Sequence, residues 1–141
     1  MTNPELAVTN YLADHGWPSA EATMNRGIDG TDRVLWVVAF RGAEHAGDDL
    51  LADWVDQTRA DAQARGGDLG VLVTPRADYG PARVASWWAH LDISALSRAM
   101  RGALALPDDV AAGTVRMHLS TAVLLVRAAG YGTPLGMGEA A

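Results

Sequence analysis

The chain has 141 residues, 49% of them hydrophobic, and carries a formal charge of −6 from 17 acidic and 11 basic side chains. This length and apolar share exclude a disordered chain and fit one compact domain with an ordinary core. The absence of cysteine excludes disulfides and thiolate metal sites, as a reducing cytoplasm would lead one to expect.

The opening, Met1-Thr2-Asn3-Pro4-Glu5-Leu6, has neither a basic n-region nor an apolar h-region, and no apolar run approaches membrane-spanning length, so a soluble cytoplasmic protein is expected. Asn3 is a good N-cap with Pro4 at the first helical position. Leu6, Ala7, Tyr11 and Leu12 follow at helical spacing, predicting a helix that ends near Gly16. Trp17-Pro18 then forces an extended exit, because the residue before proline avoids the α region. Ala20 to Met24 reads as a short strand or as a continuation of the segment around Glu21.

The run Val34-Leu35-Trp36-Val37-Val38-Ala39-Phe40 is rich in β-branched and aromatic residues and predicts a central strand covered on both sides. Asp48 or Asp49 caps a long helix to about Arg65, stopped by Gly66-Gly67. Its inner face is expected to carry Leu50, Leu51, Trp54, Val55, Thr58 and Ala62, and its solvated face Asp53, Asp56 and Asp61. A strand from Leu69 to Thr74 after this helix predicts a right-handed parallel β-α-β unit.

Trp87 to Asp92 is expected as the last strand of the sheet. Neighbours on a strand face opposite sides, so one of Trp87 and Trp88 covers the core and the other meets a helix, a dimer partner or a nucleic-acid base. Asp92 is read as the cap of a helix bearing Ile93, Leu96, Met100 and Leu104. After Pro107, the segment Thr114 to Leu119 alternates as a strand does, and Ser120 is read as the cap of an apolar helix from Thr121 to Ala129 that stops at Gly130. The expectation is an α/β fold, a mixed sheet of about four or five strands flanked by helices over residues 1–105. A small C-terminal strand-helix extension, 106–130, would pack on it, followed by a flexible tail, 131–141.

Three segments carry a resemblance. Gly16-Trp17-Pro18-Ser19-Ala20-Glu21, the turn Gly27-Ile28-Asp29-Gly30-Thr31-Asp32 and the strand Val37-Val38-Ala39-Phe40-Arg41 resemble the site segments of the Holliday-junction-resolvase-like PD-(D/E)xK nucleases of phages and actinobacteria. Further on, Gly70-Val71-Leu72-Val73-Thr74-Pro75-Arg76 and Gly80-Pro81-Ala82-Arg83-Val84-Ala85-Ser86-Trp87-Trp88-Ala89 are similar to that family's later strands and turn, so the likeness spans roughly Glu5 to Met100. It implies a restriction-endonuclease-like fold, a homodimer, and a Mg²⁺ site built from a Glu on an early helix, a hairpin Asp and an acidic residue two positions before a Lys. The family's Gly-Asp-Ile turn is scrambled or shortened here, so the residues of this chain that would hold the metal are Glu21 with Asp29 or Asp32 as the substitute.

Two positions depart from that pattern. Ala39 stands where the metal-binding Glu belongs and Arg41 where the Lys belongs, and all 11 basic residues of the chain are arginine. Mg²⁺ needs hard oxygen ligands, which alanine cannot supply. A guanidinium stays protonated and cannot act as base, although it can grip a phosphate with two parallel hydrogen bonds. The remnant site of Glu21, Asp29, Asp32, Ala39 and Arg41 therefore implies binding without cutting, with no cofactor unless surviving carboxylates still hold Mg²⁺.

Ordinary readings stand beside these. Arginine without lysine is what a GC-rich genome encodes, Glu21 suits an exposed edge, and Asp29 and Asp32 suit a Gly-flanked turn through backbone hydrogen bonds alone. Arg41 can hold phosphate, pair with Glu21 or point to solvent. His15, His45, His90 and His118 share no metal-ligand spacing. The negative charge weighs against DNA, yet it is uneven: residues 1–70 hold 12 acids and 5 arginines, whereas residues 71–141 hold 5 acids and 6 arginines. DNA would have to be gripped by arginines gathered in space, with Arg26, Arg33, Arg41, Arg76 and Arg83 as the candidates. Three function classes are thus open: a non-cleaving protein that binds branched DNA or a protein partner, a surviving Mg²⁺ endonuclease, and a structural or inhibitory interaction protein.

Overall fold

The computed structural model describes residues 4–17, 21–22, 28–29, 34–39, 47–64, 69–93, 97 and 113–131. A first helix, α1 (Pro4–Asp14), leads into a two-residue ladder, β1 (Glu21–Ala22) with β2 (Ile28–Asp29), and then β3 (Val34–Val38). The helix α2 (Asp48–Ala64) connects β3 to β4 (Leu69–Thr74), and a 3-10 helix (Pro81–Ser86) precedes β5 (Trp88–Asp92). The described chain closes with β6 (Thr114–His118) and α3 (Leu119–Ala128).

The six strands lie in one mixed sheet in chain order, with β3 and β4 parallel and every other neighbouring pair antiparallel. The protein is thus α/β, a mixed sheet flanked by helices, and its body is the four longer strands, β3 to β6. The parallel pair requires a crossover, which α2 provides.

Alternation along the strands gives the sheet two unlike faces. On one, Val34, Trp36, Val38, Leu69, Val71, Val73, Ala89 and Leu91 pack with Val8 and Leu12 of α1, Trp17 and Trp87, and Leu119, Ala122, Val123 and Val126 of α3. Trp17 and Trp36 meet edge to face there, 5.2 Å between centroids at 76°, the arrangement that ring quadrupoles favour. On the other, Leu35, Leu72, Thr74, His90 and Asp92 are buried beside α2, whose Val55, Thr58 and Ala62 point inward. A Cβ built on Gly70 would sit 2.8 Å from the Thr58 carbonyl oxygen, so glycine lets α2 lie close on β4.

Several expectations are met: β3, α2 and β4 fall where the apolar runs place them, and Asp53, Asp56 and Asp61 are exposed. Others need correction. Asp48 and Asp49 lie inside α2 rather than capping it, and the Gly47 carbonyl accepts from the Leu51 N–H at 3.0 Å. Leu50 is 45% exposed, because it lies a hundred-degree step off the stripe defined by Leu51, Val55, Thr58 and Ala62. The last strand is β6, not β5: the alternation of Val115 and Met117 with Thr114, Arg116 and His118 suits a half-covered edge, which pairs antiparallel with β5. Ser120 lies inside α3 rather than capping it. His118 is the extended residue before the helix, without a side-chain cap, and the Leu119 N–H donates instead to the Trp87 carbonyl at 2.7 Å. Asp92 ends β5 and is buried, 3.7 Å from Arg59 of α2; the helix expected after it, and the tail 132–141, lie outside the described residues apart from positions 93 and 97.

Candidate functional site

The hairpin places two of the expected acids together. Glu21 and Asp29 are register partners across β1 and β2, and Asp29 is in turn opposite Leu35 of β3. Ala39 lies four residues beyond Leu35, about 13 Å at the usual strand rise. Its N–H donates to the Val73 carbonyl at 2.9 Å, which continues the parallel register and sets Ala39 opposite Thr74. Asp32, Arg26, Arg33 and Arg41 lie outside the described residues. Among the described residues no group of three His, Asp or Glu is arranged to hold a metal ion.

The row that begins at Ala39 is where the open face of the sheet carries its chemistry. Thr74 pairs with Trp88, and Trp88 with His118, so the row reads alanine, threonine, tryptophan, histidine. One row along β5, His90 lies between Leu72 and Arg116. The Thr74 Oγ1 and His90 Nε2 are 2.9 Å apart, a hydrogen bond that satisfies both polar groups inside the protein. Burial, with the charge of Arg116 second, lowers the His90 pKa to about 4, so this imidazole is neutral near pH 7.

Outside this buried pair lies a stack of charges and rings. The guanidinium of Arg76 sits 4.0 Å from the Tyr79 centroid and 4.2 Å from that of Trp88. Arg83 takes Tyr79 as well, at 4.7 Å, and Arg116 takes Trp88 at 4.3 Å. The sequence Arg83, Tyr79, Arg76, Trp88, Arg116 is therefore a ladder of three cations interleaved with two aromatic rings, each contact within cation–π range. His118 closes it, with its ring 5.3 Å from Trp88 and its Nε2 accepting from Arg76 Nη1 at 3.3 Å.

Local structure explains the stack. The chain leaves β4 through Thr74-Pro75 and turns at once, the Tyr79 N–H donating to the Arg76 carbonyl at 3.0 Å. Asp78 adopts φ 68° at the third position of that turn, a conformation aspartate tolerates better than most residues. Tyr79 thereby folds back over Arg76, and the buried indole of Trp87 holds it there by donating from Nε1 to the Tyr79 carbonyl at 2.8 Å. Arg76 Nη1 also donates to the Ser86 carbonyl at 3.3 Å. Arg83 and Arg116 remain exposed, whereas Arg76, Tyr79 and Trp88 are half-buried.

Of the arginines proposed from sequence, Arg76 and Arg83 are in this ladder. Arg116, His118, Tyr79 and the buried His90 were missed. The alternation Thr114-Val115-Arg116-Met117-His118 signals that Arg116 and His118 share a face, and the Trp87-Trp88 pair signals one outward ring, but nothing local reveals that β6 lies against β5 in the register that joins them. Comparison of the chain with protein-family models, with curated proteins and with solved structures finds no match.

Proposed function

We propose that this chain is a nuclease-fold protein, resembling the Holliday junction resolvases, that binds branched DNA without cutting it. The observation that carries the reading is the row at Ala39. The resemblance puts a metal-binding carboxylate at that position, and the strand register instead joins Ala39 to Thr74, Trp88 and His118, none of which offers one. Hydrolysis of a phosphodiester needs a metal-bound or otherwise activated water and a countercharge for the leaving group. The row supplies no carboxylate for the metal, and the accepting nitrogen of its one imidazole, His118, is taken up by Arg76, while the arginines around it retain the capacity to hold phosphate.

The element order, a helix followed by a hairpin, a strand, a helix and a further strand parallel to the last, is the order the resemblance implies, although Glu21 stands on the first hairpin strand and not on the early helix. One observation favours a second reading, a surviving Mg²⁺ endonuclease. Glu21 and Asp29 are register partners across the hairpin, and two carboxylates can suffice for Mg²⁺ when water and phosphate oxygens complete the shell.

A labelled four-way junction incubated with the protein in Mg²⁺ and then in Mn²⁺ separates the two. The expected outcome is a retarded, intact junction in both metals. Cleavage that disappears in Glu21→Ala would establish the endonuclease and remove the leading proposal. A protein that leaves the junction free and uncut serves a protein partner instead.

A further inference from the structure

We infer that the Arg83–Tyr79–Arg76–Trp88–Arg116 ladder is the surface that takes the phosphate backbone of nucleic acid. This rests on the DNA-binding reading and goes beyond it by assigning the residues and the mode of contact.

Charge is the first argument. Arg83 and Arg76 lie 4.7 and 4.0 Å from one centroid, so their guanidinium carbons can be no more than 9 Å apart, and the shared Trp88 sets the same bound for Arg76 and Arg116 at 4.2 and 4.3 Å. Among the described residues none of the three is ion-paired to a carboxylate, whereas Arg59 of α2 lies 3.7 Å from both Asp56 of α2 and Asp92 of β5. Three cations held this close in a chain of net charge −6 repel one another unless an anion lies over them. Asp49, Asp53, Asp56 and Asp61 are exposed on α2, away from the ladder, and Asp78 is the acid that stands exposed in the ladder's own turn.

Geometry is the second argument. Arg83 and Arg116, each held against a ring and exposed, present their edge N–H groups as a planar fork, the shape that matches two phosphate oxygens, whereas Arg76 Nη1 is already engaged by Ser86 and His118 and serves to fix the stack. The rings serve here as supports for guanidiniums rather than as platforms for bases, since each already carries two arginines within 5 Å of its centroid. Contacts to phosphate oxygens carry no base identity, so a ladder that takes the backbone would position DNA without selecting its bases. The Tyr79 turn and the Trp87 bond to its carbonyl fix the stack beforehand, which reduces the ordering cost of binding.

The test uses the full chain and three labelled probes: a four-way junction, a plain duplex of one arm, and polyglutamate. Binding is measured from 50 to 200 mM salt for the wild type, for the exposed-site double variant Arg83→Ala/Arg116→Ala, and for Arg83→Lys/Arg116→Lys, with thermal midpoints confirming that each is folded. The wild type is expected to bind both DNA probes regardless of base sequence. The alanine pair should bind them about tenfold more weakly or worse, with a log–log salt slope shallower by about 1.8, two phosphate contacts at about 0.9 each. The lysine pair, which keeps charge and loses the fork, should fall between.

Equal binding by wild type and alanine pair would overturn the assignment of the ladder while leaving a DNA-binding protein that grips elsewhere. Should polyglutamate bind and DNA not, the ladder belongs to an acidic protein and the inference fails together with the DNA reading. Failure of the wild type to bind any probe at 50 mM salt overturns both.

Discussion

The two faces of the sheet are built from the same strands and do opposite work. Toward α1 and α3, Val34, Trp36, Val38, Val71, Val73, Ala89 and Leu91 form a continuous apolar layer. Toward α2, the same strands contribute Leu35, Leu72, Thr74, Trp88, His90 and Asp92, and α2 covers only part of that face, leaving Arg116 and His118 exposed. A face that is fully covered can be filled with whatever packs, so its residues report on stability. The half-covered face must satisfy each polar group individually, and it is where chemistry collects. Substitutions that keep to one face should therefore change one property and spare the other.

The largest effect is expected on the apolar face. Trp17→Ala removes a ring that is 2% exposed and packed edge to face on Trp36, and should cost about 3–5 kcal/mol in urea unfolding. At temperatures where the variant remains folded, DNA affinity should match the wild type. A drop in affinity without a drop in stability would break the division between the faces.

Beneath α2 the expected loss is smaller. In Gly70→Ala the new methyl would meet the Thr58 carbonyl at 2.8 Å, and because backbone cannot rotate away, α2 must shift. A destabilisation of about 1–3 kcal/mol follows, visible as a lower midpoint with an unchanged denaturant slope. If the variant is as stable as the wild type, α2 does not lie on β4 as described.

How much of this was legible in sequence follows from the range over which each feature is encoded. The positions of β3, α2 and β4 are local, written in apolar runs and a helical stripe, and they fall where predicted, although the start of α2 belongs to Gly47 rather than to a capping Asp48. The exposure of Leu50 was legible too, since helical spacing sets it a hundred degrees off the stripe of Leu51, Val55, Thr58 and Ala62, and its apolar side chain alone argued for burial. Glu21 and Asp29 were singled out only through resemblance, which puts its Glu on an early helix, whereas Glu21 stands on β1 as the register partner of Asp29. The ladder was half legible. Arg76 and Arg83 stand in the segment that resembles the family, but Arg116 enters through the pairing of Trp88 with His118, two residues 30 positions apart whose register no local pattern encodes.

His90 joins the two faces' properties to pH. Its pKa is lowered to about 4 by burial, with Arg116 second, whereas in the unfolded chain it returns to about 6.5. Between those values the unfolded state binds more protons, so stability is full above about pH 6.5, falls as pH drops toward 4, and loses nothing further from this group below that. The expected loss is about 2 kcal/mol by pH 5, measured as the fall in urea midpoint between pH 7.5 and 5. His90→Gln should reduce that fall. A wild type whose midpoint is flat across this window would mean that His90 is open to water.

The smallest effect on stability is expected at Arg116, and its smallness is what makes it informative. The side chain is exposed and its contact with Trp88 is a single surface cation–π pair at 4.3 Å, worth about 0.5–1 kcal/mol. Removing it also removes like-charge repulsion from Arg76 and the field that helps to keep His90 neutral. These terms oppose one another, so Arg116→Ala should shift the midpoint by less than about 1 kcal/mol while His90 titrates at a higher pH, seen by NMR of its ring protons. A structural arginine would show the reverse pattern, a clear loss of stability and no movement of His90. The ladder would then be packing rather than a surface kept charged at some cost, and the contrast between the faces would lose its functional half.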